Sequence, residues 1–520
     1  MCFLMLAYYR NEEFNTATLR PYKSHDGRYI CMFEGSLANI QELQQKLEKI
    51  GIYAPSTCLE EIILELYRFC GDSFTEILRG KFAIIIFDNK LQQLIAARDR
   101  YGVRPLYYRL VVGGIGITSE LTNFKLSTGW SLAELMEINK DSLRHYFSCG
   151  YIPENDTYLK NTYHLPAGCL LKFDAHGLEI TPFADMLVIE GSNEQLVDEQ
   201  LFHDVITEGI HARIPTNKVV GIFYTGKVCE LVIAAMAKQA SSEIKIFSVE
   251  FAGTKPVINK SLEAFVIRPH IDADDYWNGA IAAHHALDVP LADPLAPIDY
   301  LLAEIASKHV DIIVCADGAD VLFGVDEVGI ERFKKRSCGL IFTEEEKEEL
   351  LKFAGSPWSE IIDPYLAQIS DLDPMAKWQT LELNTRFRGS TILKRERLMS
   401  HHGIEVRFPF LDDKILDIAS FLTSDEKKSM SLFKQVFADQ ISKFQKPKKK
   451  AVCKVPLTRW IRFDLYEKIK STFEQDVAEE FFNTEVILAM LEQHRKGLRD
   501  LSRPIWAIAM FIVWLKELRY

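Results

Sequence analysis

The chain has 520 residues, more than one hydrophobic core of ordinary size can serve, and at roughly 100–200 residues per domain it should hold two to four domains. Hydrophobic residues make up 48% of it and charged residues 26%, which excludes a mostly disordered, collagenous or repeat-dominated chain. A net charge of -12, from 61 Lys+Arg against 73 Asp+Glu, repels a phosphate backbone, so no nucleic-acid partner is expected.

The first predicted elements are a short strand at Tyr29–Phe33 and helices at Gln41–Ile50 and Glu60–Tyr67. Phe82–Phe87 is a continuous apolar run closed by Asp88-Asn89-Lys90 and predicts a buried strand, and Leu94–Ala97 predicts another. Strands and helices continue in loose alternation to about Asp174, the pattern of stacked sheets with helices. The pattern changes near residue 195. Glu194–His211 predicts a helix, broken by Pro215, and Val219–Tyr224 predicts a buried parallel strand. A turn at Thr225-Gly226-Lys227, a helix at Leu231–Gln239, a strand at Ile244–Phe251, a helix at Ile298–Ser307 and a strand at Val310–Val314 follow. This is the alternation of a doubly wound α/β sheet, whose ligands sit at the carboxyl ends of its strands. Thr225–Glu230, Ser248–Glu250 and Cys315–Asp320 are therefore expected around one crevice. From about Glu327 to Tyr520 the chain reads as mainly helical.

The longest apolar run, Ile505–Leu515, is well short of the roughly 18–20 residues a bilayer span needs and predicts a buried helix, so no membrane partner is expected. Ten cysteines occur without a C-x-x-C pair, and the first residues lack a basic segment followed by an apolar core. A reducing, cytoplasmic location is the expectation.

Several stretches then occur in one order: Met1-Cys2, Ala97–Tyr108 (Ala-Arg-Asp-Arg-Tyr-Gly-Val-Arg-Pro-Leu-Tyr-Tyr), Leu165-Pro166-Ala167-Gly168, Ile246–Phe251, Asp317–Gly324 and Met399–Asp412. Together they resemble the asparagine synthetase family of the glutamine-dependent type, as a divergent member related to the β-lactam synthetase and lasso-peptide cyclase types. The resemblance implies an α+β N-terminal-nucleophile (Ntn) hydrolase-like sandwich over residues 1–194. Residues 195–520 would form an α/β doubly wound ATP-pyrophosphatase domain, adenine nucleotide alpha hydrolase-like, with a helical C-terminal part. It further implies ATP and Mg²⁺, and an acyl-adenylate formed on a small-molecule or peptide carboxylate substrate.

The residues depart from that family at both chemical centres. Cys2 stands at the nucleophile position, where a thiol can use its own α-amine as base once Met1 is gone, but Phe3 replaces a glycine. Glu34-Gly35 replaces Asn-Gly, and a carboxylate accepts where an oxyanion needs a donor; losing such a donor costs about 2.7–4 kcal/mol. Leu59 falls where an Asp would meet the glutamine ammonium. Loss of glutamine hydrolysis is expected, with Cys2 a vestigial nucleophile.

In the pyrophosphate loop, Thr225-Gly226-Lys227-Val228-Cys229-Glu230 replaces Ser-Gly-Gly-x-Asp-Ser. Thr225 keeps a hydroxyl and Gly226 a close backbone approach, while Cys229, a soft ligand, replaces the magnesium carboxylate. Lys227 could neutralise phosphate, and Glu230 with Asp320 could recruit the metal. Ser248 and Val249 match the adenine-holding strand, Gly318 the second phosphate-side loop and Asp317 the acid that meets a substrate ammonium. Lys448 matches a lysine that stabilises charge in the adenylated intermediate.

The leading expectation is an ATP-dependent amide-forming ligase that passes its acyl group to ammonia or an amine. The second is a catalytically degenerate paralogue, a binding or regulatory subunit that works through a homo-oligomer or a partner subunit. Pocket geometry separates them: oxygens able to converge on one point favour the ligase, and a Lys227–Glu230 or Lys227–Asp320 ion pair plugging the crevice favours the paralogue.

Overall fold

The computed structural model describes residues 6–10, 13–16, 21–53, 58–126, 137–153, 155–184, 197–215, 217–240, 243–251, 260–324, 340–444 and 454–519. The chain divides into two compact units, one made of Cys2–Asn139 and Glu154–Leu187, the other of Lys140–Pro153 and Val188–Tyr520.

The first unit contains two antiparallel sheets. One is formed by β1 (Leu6–Arg10), β2 (Glu13–Thr16), β7 (Tyr107–Val111), β8 (Gly114–Thr118) and β9 (Thr162–His164), in the order β2-β1-β8-β7-β9. The other is formed by β3 (Tyr22–Lys23), β4 (Tyr29–Leu37), β5 (Gly80–Asp88), β6 (Gln93–Arg98), β10 (Cys169–Asp174) and β11 (Gly177–Pro182), in the order β11-β10-β6-β5-β4-β3. The apolar run expected at Phe82–Phe87 lies inside β5, and its continuity has a simple cause. Ile84 and Ile86 join Leu43, Leu47, Ile62 and Leu66 of the helices α1 (Ile40–Lys49) and α2 (Leu59–Cys70). Ile85 and Phe87 point the other way and meet Ala7, Ile115 and Ile117 of the first sheet. With both faces buried, the polar half of the usual alternation disappears.

The second unit is built on a parallel sheet of β12 (Val220–Phe223), β13 (Ile244–Phe247), β14 (Val266–Ile267), β15 (Ile312–Val314) and β16 (Glu405–Arg407). Its order is β14-β13-β12-β15-β16, so the winding reverses between β12 and β15. That reversal opens a crevice at the carboxyl ends of these two strands. The helices that matter for the crevice are α3 (Lys140–Cys149), α4 (Glu199–His211), α5 (Val228–Gln239), α6 (Ala273–Leu287), α7 (Ala296–Ala306), α8 (Ala319–Phe323), α9 (Leu393–His401) and α10 (Ser502–Arg519). The helix expected from the Ile505–Leu515 run is α10, and thirteen of its eighteen residues are buried. It forms the centre of the unit, with Trp506 against Tyr276 of α6. No helix among the described residues is long and apolar enough to cross a membrane.

α3 precedes most of its unit in sequence yet is locked into it. Tyr146 Oη donates to the Ala507 carbonyl of α10 at 2.9 Å, and Arg144 reaches Glu344 and Glu348. Behind the crevice, the Gln379 side-chain amide donates to the Val321 and Leu322 carbonyls of α8 at 2.6 and 3.0 Å. Gln379 Oε1 in turn accepts from the buried Lys427 ammonium at 3.1 Å. Burial pushes Lys427 down to about 8. The unfolded chain therefore holds more protons than the folded one between about pH 8 and 10.4, and this lysine's contribution to stability rises with pH across that window. Wild-type stability relative to Lys427→Met should rise by about 2–4 kcal/mol between pH 7 and pH 10.5, read from urea midpoints. A difference that stays flat with pH would contradict the burial assigned to this lysine.

Candidate functional site

A cavity of about 390 Å³ occupies the crevice between β12 and β15. Thr225, Lys227, Glu230, Asp317, Gly318 and Asp320 all line it, as their placement after the two strands requires. Gly226, Ser248 and Val249 are not in its wall. Ser248 is fully buried and its hydroxyl donates to the Tyr224 carbonyl at 2.9 Å. Ser248–Glu250 follow β13, which lies beyond β12 on the far side from the switch between β12 and β15, and they do not line this cavity. Lys448 and Cys2 lie outside the described residues.

Thr225, Gly226 and Lys227 form the turn between β12 and α5. Gly226 has φ +107°, a conformation that side-chain-bearing residues rarely adopt, and this turns the successive N–H groups toward one point. Glu230, the third residue of α5, folds back onto that point. Its Oε2 accepts from the N–H groups of Thr225, Gly226 and Lys227 at 2.8, 3.1 and 3.0 Å, and its Oε1 from the Thr225 hydroxyl at 2.8 Å. Burial pushes the Glu230 carboxyl up, against the pull of the Lys227 charge and of these donors. The Lys227 ammonium pairs with Asp320 across the crevice. Desolvation by the crevice walls acts to lower its pKa, but the side chain keeps 42% of its surface exposed and the neighbouring Asp320 and Glu230 carboxylates outweigh that effect, holding it above the ordinary lysine range.

These contacts correct the metal assignment. Glu230 spends its oxygens on the loop, Asp320 is held by Lys227, and Cys229 is a fully buried thiol that burial pushes well above its ordinary range. Among the described residues no group of three or more His, Cys, Asp or Glu side chains is placed to hold a metal ion. Mg²⁺ is usually held by one or two carboxylates together with substrate phosphates, and here both candidates, Glu230 and Asp320, are already engaged by the chain, so the residues as they stand do not fit it.

The opposite wall is a buried charge cluster. Lys394 and Arg395 open α9, directly after the π-helical stretch Leu383–Ile392, a widened coil of the kind frequent at functional sites. Arg395 Nε donates to Asp317 at 3.0 Å and its Nη1 to Asp299 of α7, while Lys394 pairs with Asp293 and lies 3.1 Å from Asp299. Burial works to raise Asp317 and Asp293, but Arg395 and Lys394 respectively outweigh it and hold them below the usual carboxylate range. Asp317, expected to meet a substrate ammonium, is thus already bound to a guanidinium.

In the first unit, the Ala97–Tyr108 signature builds a buried corner. Asp99 accepts N–H bonds from Phe82, Tyr101, Val103 and Arg104, and Arg98 donates to the carbonyls of Gly102, Arg104 and Leu165. Burial nevertheless raises Asp99. The corner presents Arg104 to Glu34, and the two buried side chains form an ion pair. Glu34 is followed on β4 by Gly35, where an added Cβ would lie 2.1 Å from the Lys81 carbonyl oxygen. Leu59 begins α2 and packs against the apolar core.

Comparison with known proteins agrees with this two-part construction. Residues 12–184 match a glutamine amidotransferase domain, and residues 230–516, more than half the chain, match asparagine synthase. The chain belongs to the asparagine synthase family. It is 25% identical to the glutamine-hydrolysing asparagine synthetase 1 of Bacillus subtilis, over 95% of this chain and 86% of that one. A putative glutamine-hydrolysing asparagine synthetase of Mycobacterium bovis is also 25% identical, over 94% and 84% of the two chains. One of Methanocaldococcus jannaschii is 27% identical over 61% and 60%. The N-terminal part is thus a glutamine amidotransferase domain and the C-terminal part an asparagine synthase domain.

Sequence reasoning missed three features of this family member: the Glu34–Arg104 pair, the reach of Glu230 back to its own loop, and the Lys394–Arg395 cluster. The second carries a usable signal, since Glu at the third helical position commonly accepts the N–H before the helix. The third shows as four consecutive charged residues, Lys394 to Arg397, flanked by Ile392-Leu393 and Leu398-Met399. Removing one member of such a cluster strands buried charge, so Arg395→Leu should destabilise the protein by about 3–5 kcal/mol. Chemical denaturation would show this, and a loss below 1 kcal/mol would mean that Asp299 and Asp317 are hydrated rather than buried against Arg395.

Proposed function

We propose that this chain is an asparagine synthetase-like, ATP-dependent amide-forming ligase that takes ammonia or an amine directly and no longer hydrolyses glutamine. The observation that carries the reading is the cavity at the β12/β15 switch, lined by the loops that follow both strands in a domain of the asparagine synthase family. In the proposed reaction a carboxylate oxygen of the acyl substrate attacks the α-phosphorus of ATP and displaces pyrophosphate. The nitrogen of ammonia or an amine then attacks the acyl carbon, AMP leaves, and the nitrogen gives up its proton to solvent. Thr225 and the loop N–H groups face the phosphate side, and Lys227 supplies positive charge there. Lys448 is assigned the stabilisation of the adenylate.

The carboxylate substrate is a small molecule or a peptide. Because Arg395 occupies Asp317, the substrate is not selected through an ammonium group at that position. Glutamine hydrolysis is assigned as lost because the oxyanion position carries Glu34, a buried carboxylate already committed to Arg104. A second reading, a non-catalytic binding or regulatory subunit, draws support from one observation: the loop's donors are taken by Glu230 and the crevice is crossed by the Lys227–Asp320 pair.

Pyrophosphate release with ATP, a panel of carboxylic acids and either ammonium or glutamine decides between the readings. The ligase should release pyrophosphate with ammonium and not with glutamine, and Cys2→Ala should leave the ammonium-driven rate unchanged. No release with any acid would favour the regulatory subunit. A glutaminase rate abolished by Cys2→Ala would show that the nucleophile still works.

A further inference from the structure

The part of the cavity where the phosphates of a nucleotide would lie already holds a carboxylate and an ammonium, both from the loop itself. Each backbone N–H has one proton to give, and those of Thr225, Gly226 and Lys227 all give theirs to Glu230 Oε2. The Thr225 hydroxyl donates to Oε1. These four donors, which the turn presents to one point, are therefore already engaged before any anion arrives. On the other side of the crevice, the Lys227 ammonium sits against Asp320, where a bound cation would otherwise neutralise that carboxylate. We propose that Glu230 and Lys227 are the chain's own stand-ins for a polyphosphate and its counter-cation, and that a phosphate anion enters the cradle only by displacing the Glu230 carboxylate.

The two halves of this plug differ in strength. Lys227 and Asp320 have side chains 42% and 44% exposed, and an ion pair so hydrated opens at little cost. Opened, it frees a cation to face the incoming phosphate. Glu230 is buried and tethered one helical turn from its donors, so it competes as an intramolecular ligand. A phosphate makes stronger charge-assisted bonds than a carboxylate, which allows the exchange, but the apparent affinity falls by the fraction of time the cradle is open. The identity of the incoming group as a nucleoside triphosphate rests on the ligase reading. The occupancy of the cradle does not.

The test is calorimetric binding of inorganic pyrophosphate and of ATP, without acyl substrate, to the wild type, Glu230→Ser and Glu230→Gln. Serine is too short to plug the cradle. Glutamine keeps the size and one acceptor but loses the charge, so it serves if the serine variant does not fold. Glu230→Ser should bind pyrophosphate at least about tenfold tighter than the wild type, as expected if the cradle is open a tenth of the time or less. Glu230→Gln should shift the same way by less. Wild-type binding within about threefold of a folded Glu230→Ser would overturn the proposal, and so would no gain in either variant. Pyrophosphate binding reads the cradle alone; ATP failing to bind a Glu230→Ser protein that binds pyrophosphate would count against the ligase reading and leave this proposal standing.

Discussion

Three backbone N–H groups turned toward one point, at the start of a buried helix, must find an acceptor. Left unmet in a dry crevice, each would cost about 1–3 kcal/mol. That demand organises the second unit around β12 and α5. It fixes the positive φ of Gly226, sets where Glu230 must lie and decides which side of the crevice remains polar. An enzyme that binds a phosphate at such a point lets the ligand meet the demand. This chain meets it internally, so its loop is complete without a ligand.

The first unit obeys the same logic with different parts. Its buried Glu34 is met by Arg104, which the buried Arg98–Asp99 corner holds in place. In both units a buried carboxylate is satisfied by donors of its own chain. Such a pair or capped turn is stable as it stands.

The fold was legible in the sequence wherever burial is continuous along a run of residues. The run at Phe82–Phe87 predicted β5, Val219–Tyr224 predicted β12, and the Ile505–Leu515 run predicted α10. The strand–turn–helix alternation also located the crevice, because the carboxyl ends of parallel strands are fixed once the strands are known. The sequence left open which side chains meet across the crevice: it offered Lys227–Glu230 or Lys227–Asp320 as alternatives and did not signal Arg395–Asp317. Lys227 and Asp320 are 93 positions apart, and Arg395 and Asp317 are 78. No local pattern records such pairings. Ser248 shows the opposite limit: it carries the right motif but sits one strand too far from the switch, its hydroxyl turned into the sheet.

The placement of α3 has a consequence for how the protein is made. Tyr146 bonds a carbonyl 361 positions later, and Phe147 packs against Phe342, Phe482 and Phe511. On the ribosome this helix emerges well before these partners. Its apolar face must therefore wait, shielded or not, until α10 has been synthesised. Closing so long a loop is slow, and the second unit cannot finish its core before α10 has been made. The two units thus differ in reach: the described sheets of the first close by Pro182, while the core of the second joins residues 361 positions apart.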